Sequence, residues 1–315
     1  MLFASICIYG KIPDIKKPME LGVNPWPKNG DEKMKTGLVL EGGAMRGMYT
    51  AGVIDVMLEN NIRVNGIIGV SAGAVFGCNY KSGQIGRVIR YNTKFCKDPR
   101  YMSLRSLIKT GDLFGEQFCY HDIPEILDPF DTEEFRNNPA EFYVVCTDVR
   151  TGKPVYHLCE KGDGEDVQWM RASASMPLVS RIVSVSGKDM LDGGISDPIP
   201  ILKFREMGYE KCIVVLTRPQ GYRKKQSPLI PVFRIAMKKY PETVKALEKR
   251  HEVYNTALES IETLQQQGDV FVLRPSEAFK MRRTENNPER LRALYKLGRK
   301  DAMSRLYEIR SFLHT

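Results

Sequence analysis

Two segments of this chain share one construction: a short apolar run, a glycine-rich turn, then helix-forming sequence. The first is TGLVLEGGAMRG at 36–47, and the second is GIIGVSAGAV at 66–75. Such unbroken apolar runs suit strands buried on both faces, and a helix after each strand is the unit of a parallel sheet. The same alternation continues along the chain. Strands are expected at 141–149 and 153–158 around the turn RTG, at the end KDMLDGG (188–194), and at 211–218. Helices are expected over 45–60, after Ser71, and in EDVQWMRASASMP (165–177), which runs on into a loop. The expected fold is therefore α/β, a mostly parallel central sheet covered on both faces.

After Arg218 the character changes. PQGYRKKQSP reads as a basic loop, and Pro241 is a favoured first residue of a long helix. Val244, Leu247, His251, Tyr254, Leu258, Ile261 and Leu264 keep the spacing of one helical face. An edge strand is expected at 269–275 and one last helix at 288–313. The chain thus divides into a lead-in at 1–33, expected to be poorly ordered, an α/β domain at 34–220, and a basic, mainly helical extension at 221–315. Met34 is a candidate natural start.

The 315 residues, 42% of them hydrophobic, can bury a core of this kind. No apolar stretch approaches the roughly 20 residues needed to span a bilayer. The start lacks the basic flank and cleavage site of a secretory signal. Seven cysteines, an odd and scattered set without a CxxC pair, argue against a disulfide framework and a zinc site. They favour a reducing cytoplasm. The net charge of +9 is uneven, since 201–315 carries 24 Lys and Arg against 13 Asp and Glu. A basic end beside a neutral body suggests a face that meets an anionic membrane surface, although a solvated helix surface carries the same charge. No zinc finger or RNA-binding aromatic motif is present, so nucleic acid is not an expected partner.

The turn EGGAMRG, entering a helix, presents backbone N–H groups to an anion. A dinucleotide site needs Gly-x-Gly-x-x-Gly and an acid at the end of the second strand. Here Ala44 takes the middle glycine's place and the second strand ends at Ser71. A phosphate loop fails as well, because no Gly-Lys-Ser/Thr closes the turn. The other ligand is the oxyanion of an acyl transfer. Gly69-x-Ser71-x-Gly73 has the spacing of a nucleophile elbow, though alone it also fits a plain strand-to-helix turn. In a parallel sheet both turns open on one edge. The N–H groups of Gly43 and Ala44, with that of Ala72, can then converge on one oxygen. Arg46 steadies that loop or the developing charge, or is an ordinary first-turn arginine.

A base is harder to find. His121 lies in a loop, His157 near a strand end, and His314 at the C-terminus. His251 follows Asp192 in the chain order of a Ser…Asp…His triad, yet falls in the apolar stripe expected to be core. Asp192 ends a hydrophobic strand, and Gly193 and Gly194 behind it permit a tight turn; a plain Asp-Gly turn is the other reading. With a reference pKa of about 3.9, an aspartate works as a base only if burial raises it and the oxyanion is captured as the proton moves.

EGGAMRG, GVSAG and DGG, in this order and spacing, resemble the patatin-like phospholipases, bacterial type. CTDVRTGKPVY and RASASMPLVS are similar to segments that precede the family's aspartate, so the resemblance covers about 37–218. It implies a three-layer α/β/α fold and lipid acyl hydrolysis through a serine ester, with no metal and no cofactor. Ser71 matches the nucleophile and Asp192 the proton acceptor. Gly42, Gly43, Ala44 and Arg46–Gly47 match the oxyanion loop, with Ala44 where a third glycine is more usual. The expected substrate is a phospholipid or other acyl ester, met in the cytoplasm or peripherally on a membrane. Two other readings stand beside it: a soluble carboxylesterase or thioesterase on short acyl donors, and a catalytically silent lipid-binding protein.

Overall fold

The sheet grows from the two βα units that the glycine-rich turns mark. In the computed structural model, which describes residues 34–314, β1 (Lys35–Leu40) runs through a 3-10 turn (Ala44–Gly47) into α1 (Met48–Glu59). β2 (Gly66–Val70) runs into α2 (Ala72–Lys81) and pairs parallel with β1, Leu38 opposite Ile67 and Leu40 opposite Gly69. The lead-in expected at 1–33 lies outside the described residues.

Three short helices and a π-helical stretch (Phe118–Leu127) fill the long connection to the next strand. The helices are α3 (Arg87–Phe95), α4 (Leu104–Thr110) and α5 (Thr132–Asn137). Then come β3 (Glu141–Asp148), β4 (Pro154–Leu158), α6 (Glu165–Ser173), β5 (Val183–Val185) and β6 (Lys188–Asp192). α7 (Ile201–Glu206) leads to β7 (Tyr209–Val215). The strand order is β5-β6-β3-β2-β1-β7, with β4 also on β3. β3, β2, β1 and β7 are parallel, while β4, β5 and β6 run antiparallel to their neighbours.

The basic end continues the same body. After α8 (Ile230–Ala236) and α9 (Pro241–Gln267), β8 (Val270–Leu273) pairs parallel with β7 and forms the expected edge strand. α10 (Pro288–Ser304) and α11 (Leu306–His314) follow. Adjacent residues of each strand feed opposite faces. Leu38, Leu40 and Ile67 pack under α1, α2, α6 and α10, whereas Val39, Ile68 and Val70 pack under α7 and α9. The result is three layers, α/β/α, as expected.

Four elements depart from the expectation. β5, α7 and α8 are too short to show a period in the sequence. The single last helix is two, because the chain turns at Arg305 (φ −112°, ψ 15°). There the guanidinium donates to the Val272 carbonyl and lies 4.1 Å from the Phe271 ring centre. The turn carries Phe312 to the same ring, 5.7 Å between centres. No glycine or proline announces that break.

α10 reaches α1 through two glycines. A Cβ at Gly52 would overlap the Tyr295 carbonyl, and one at Gly298 would overlap the Tyr49 carbonyl. Backbone meets backbone at this crossing, so neither neighbour can yield. Gly52→Val is expected to lower stability by about 1–3 kcal/mol through overpacking. The check is a lower urea midpoint at unchanged slope.

Candidate active site

Register explains why residues far apart in sequence meet. At Tyr143–Val145, β3 has β4 on one edge and β2 on the other, ending with Val70 opposite Val145. At Cys146 and Thr147 it still has β4 on the first edge, but β6 now occupies the second, with Asp192 opposite Cys146. β2 is parallel to β3 and β6 antiparallel, so their C-terminal ends point at each other along one edge. Ser71 follows one end, and Asp192 is the other.

Both chains must turn off sharply there. Ser71 does so at φ 56°, ψ −124°, a conformation in which a non-glycine residue costs about 1–3 kcal/mol. Its N–H donates to Ser173 Oγ (2.9 Å), whose hydroxyl donates to the Val145 carbonyl (2.6 Å). The flanking glycines are steric necessities. A Cβ at Gly73 would overlap the Leu40 carbonyl, and one at Gly69 would sit 2.6 Å from Ala74 Cα. On the other side, a Cβ at Gly193 would overlap the Val145 carbonyl, while Gly194 donates to Asp192 Oδ1 (2.7 Å).

The Gly42–Ala44 loop lies over this junction. A Cβ at Gly42 would stand 2.9 Å from Ser71 Cβ, and one at Gly43 2.9 Å from Thr217 Oγ1. Ala44 is held at φ 48°, in the left-handed region that glycine enters without strain. That accounts for glycine being usual at this place. Gly42, Gly43 and Ala44 line one cleft with Ser71, Asp192 and Gly194. The Ala72 N–H belongs to the first turn of α2, where the helix itself offers no acceptor.

Asp192 is 2% exposed. Burial pushes its carboxyl above the usual carboxylate range, against the opposing pull of Arg250, the Ser71 hydroxyl and the Gly194 N–H. Its own backbone is held on both sides, N–H to the Ser175 carbonyl (2.9 Å) and carbonyl to Thr147 Oγ1 (2.8 Å). A carboxylate fixed, buried and raised in this way is a better proton acceptor than one in water.

Several contributors to the site went unread in the sequence. Glu41 is 2% exposed and accepts from the Thr217 N–H, the Thr217 hydroxyl (3.0 Å) and the Tyr254 hydroxyl (2.8 Å). It ties the Gly42–Ala44 loop to the segment after β7 and to α9 at once. Arg250, one turn before Tyr254 on α9, donates to the Gly194 carbonyl behind Asp192. Ser173 holds the elbow's amide. The one available signal was the polar residues of strand ends, Glu41 and Thr217, each closing an apolar run.

The histidines do not gather here. His251 is half-buried, not core, and its Nδ1 faces the Glu248 carbonyl of its own helix (2.9 Å). His121 pairs with Glu125, and His314 is exposed at the end of α11. His157 stacks on Trp169 with its Nε2 3.3 Å from Asp166. Cys159 completes a possible ligand cluster with that pair, but Asp166 already accepts from the Lys161 and Gly162 amides.

Two spaces meet at Ser71 and Ala44. One is an apolar cavity lined by residues such as Val75, Phe76, Tyr91, Phe114 and Met170. The other is the polar cleft of Asp192, which also holds Arg46, Lys224 and Arg250. Arg46 is 9% exposed, and burial with the nearby Arg218 lowers its guanidinium to about 10.

An elbow serine, a buried carboxylate and a glycine loop thus stand together on a three-layer α/β/α sheet. A model of the patatin-like phospholipases matches residues 38–205, more than half of the chain, and the chain belongs to that family. A second model, described as a domain of unknown function (DUF6363), matches 240–314. The Escherichia coli K12 protein YjjU is 32% identical over 190 residues, 58% of this chain and 52% of its own. The NTE family protein Rv1063c of Mycobacterium tuberculosis is 26% identical over 186 residues, 59% and 50% of the two chains. Lysophospholipase nte1 of Aspergillus oryzae is 25% identical over 197 residues, 59% of this chain and 12% of its own. The chain thus spans about half the length of the first two relatives. Among the described residues no helix is long and apolar enough to cross a membrane.

The raised carboxyl of Asp192 has a consequence for stability. A folded-state pKa above the unfolded value means that ionisation costs more in the folded protein, so the charge destabilises it above that range. Asp192→Asn is expected to be more stable than wild type at pH 7. The difference should close as pH falls toward 3.8, the carboxyl's ordinary value. Denaturant titrations at a series of pH values check it.

Proposed function

We propose that the chain is a serine acyl hydrolase on lipid esters, of phospholipase A or lysophospholipase type, working through Ser71 and Asp192. The observation that carries this reading is the junction itself. A strained serine, a buried carboxylate and the Gly42–Ala44 loop share one cleft beside an apolar cavity. The acyl chain lies in that cavity and the alcohol half in the cleft, with the ester carbonyl between them at Ser71.

The steps follow from this placement. Ser71 Oγ attacks the carbonyl carbon as its proton passes to Asp192. The carbonyl oxygen takes the negative charge among the N–H groups of Gly42, Gly43, Ala44 and Ala72, each such donor being worth about 2.7–4 kcal/mol of activation energy in a known hydrolase. The acyl–oxygen bond then breaks, and the alcohol leaves with the proton held by Asp192. Water, giving its proton to Asp192, attacks the acyl-Ser71 ester. The fatty acid departs and Ser71 recovers a proton.

Exposed apolar residues on two helices support contact with a lipid surface. Leu104 and Ile108 on α4 are 72% and 87% exposed, beside Arg105 and Lys109. Ile235 on α8 is 77% exposed, beside Arg234 and Lys238. Apolar residues standing out among cations suit an anionic membrane surface in the cytoplasm.

A fluorophosphonate probe should label wild type and leave Ser71→Ala unlabelled. Ser71→Ala and Asp192→Asn should each lower kcat by at least about a thousand-fold. His251→Ala should stay within about two-fold. Fatty acid release from a long-chain lysophospholipid should exceed release from short nitrophenyl esters; the reverse order would favour the soluble esterase.

A further inference from the structure

The alcohol half of the substrate can be read from the polar cleft, an inference that rests on the hydrolase reading and deepens it. Five cationic side chains line this cleft: Arg46, Arg218, Lys224, Arg250 and Arg283. They face two carboxyls, Glu41 and Asp192, and both are engaged. Glu41 accepts from Thr217 and Tyr254, and Asp192 accepts from Gly194 with Arg250 beside it.

Among the described residues, Arg46, Arg218, Lys224 and Arg283 form no ion pair, while Arg250 is drawn to Asp192. Arg250 spends its Nε on the Gly194 carbonyl. Lys224 Nζ lies 4.5 Å from the centre of the Tyr254 ring, and the Arg218 guanidinium 4.5 Å from that of Tyr222. Arg46 Nε is buried with no hydrogen-bond partner at all. A buried donor on a charged group is costly to leave unpaired. The crowding also shows in Lys224, which burial and the nearby Arg250 push down to about 7. Cations so placed await an anion.

Arg250 is committed to the turn behind Asp192, which leaves Arg46, Arg218, Lys224 and Arg283. They come from the turn after β1, the bend after β7, the loop that follows it, and the segment before α10. We propose that these four bind a doubly charged phosphomonoester on the alcohol half, so that the preferred substrate is an acyl ester of a phosphorylated alcohol. A phosphodiester brings one charge where two are accommodated. A choline headgroup adds a cation to a cleft that already repels cations.

The test uses three lysolipids with one acyl chain, presented as monomers: 1-acylglycerol 3-phosphate, the phosphocholine analogue and the plain 1-acylglycerol. The phosphomonoester should lead the choline lipid in kcat/KM by at least about ten-fold. Lys224→Met and Arg283→Met should each shrink that lead by about ten-fold, with Lys224→Arg restoring it. Equal values for the three headgroups, or a lead that survives both variants, would overturn the proposal. So would a cleft that takes free phosphate alone, seen as inorganic phosphate altering turnover of the 1-acylglycerol while the phosphomonoester has no lead. If no ester is hydrolysed, the hydrolase reading fails by itself. The cleft is then read by calorimetric titration of Ser71→Ala with glycerol 3-phosphate against glycerol. Binding of the phosphate alone, lost in Lys224→Met, upholds the anion site, and no binding removes it.

Discussion

One edge of β3 is shared by two strands that run toward each other, and the site depends on that arrangement. β2 holds the edge as far as Val145 and β6 takes it from Cys146. Two strands cannot continue through each other, so both chains leave the sheet at once. That demand produces the left-handed Ser71, the glycine at 193 that clears the Val145 carbonyl, and the glycine at 73 that clears Leu40. Ser173 fills the gap between them, joining the Ser71 amide to β3. The meeting of a hydroxyl and a carboxylate is thus a by-product of strand register.

Holding this geometry costs stability locally. Ser71 and Ala44 sit in backbone conformations that favour glycine, Asp192 carries a raised carboxyl, and Arg46 has an unpaired buried nitrogen. The surrounding layers offset it. Each fully buried apolar side chain contributes about 1.5–3 kcal/mol, and the strands beneath the site bury theirs on both faces. Strain and orphaned charge can persist because the sheet leaves the chain no other path.

The basic end of the chain is part of this balance. β8 extends the sheet, α9 covers one face and α10 the other. From that end come Tyr254, which steadies Glu41, Arg250, which backs Asp192, and Lys224 and Arg283 in the cleft. A surplus of lysine and arginine that reads as surface in the sequence is therefore partly an interior feature. Charge counts along a chain give the sign of a field and say nothing of the face on which it acts.

Local chemistry was legible in the sequence wherever it is carried by neighbours along the chain. Apolar runs ending in glycine turns determined β1, β2 and the helices after them, and the three-layer α/β/α fold follows from that alternation. The positions of Gly42, Ser71 and Asp192 at strand ends were readable for the same reason. Long-range pairing was not readable. Nothing near His251 says that it faces its own helix while Arg250 and Tyr254 beside it turn inward, and nothing at Arg305 announces the break between α10 and α11. Those outcomes were decided by the tertiary structure, because a helix's rotation and a helix's end depend on which surfaces it meets. Sequence spacing determines which residues share a face, and only packing against the sheet selects the face that is buried.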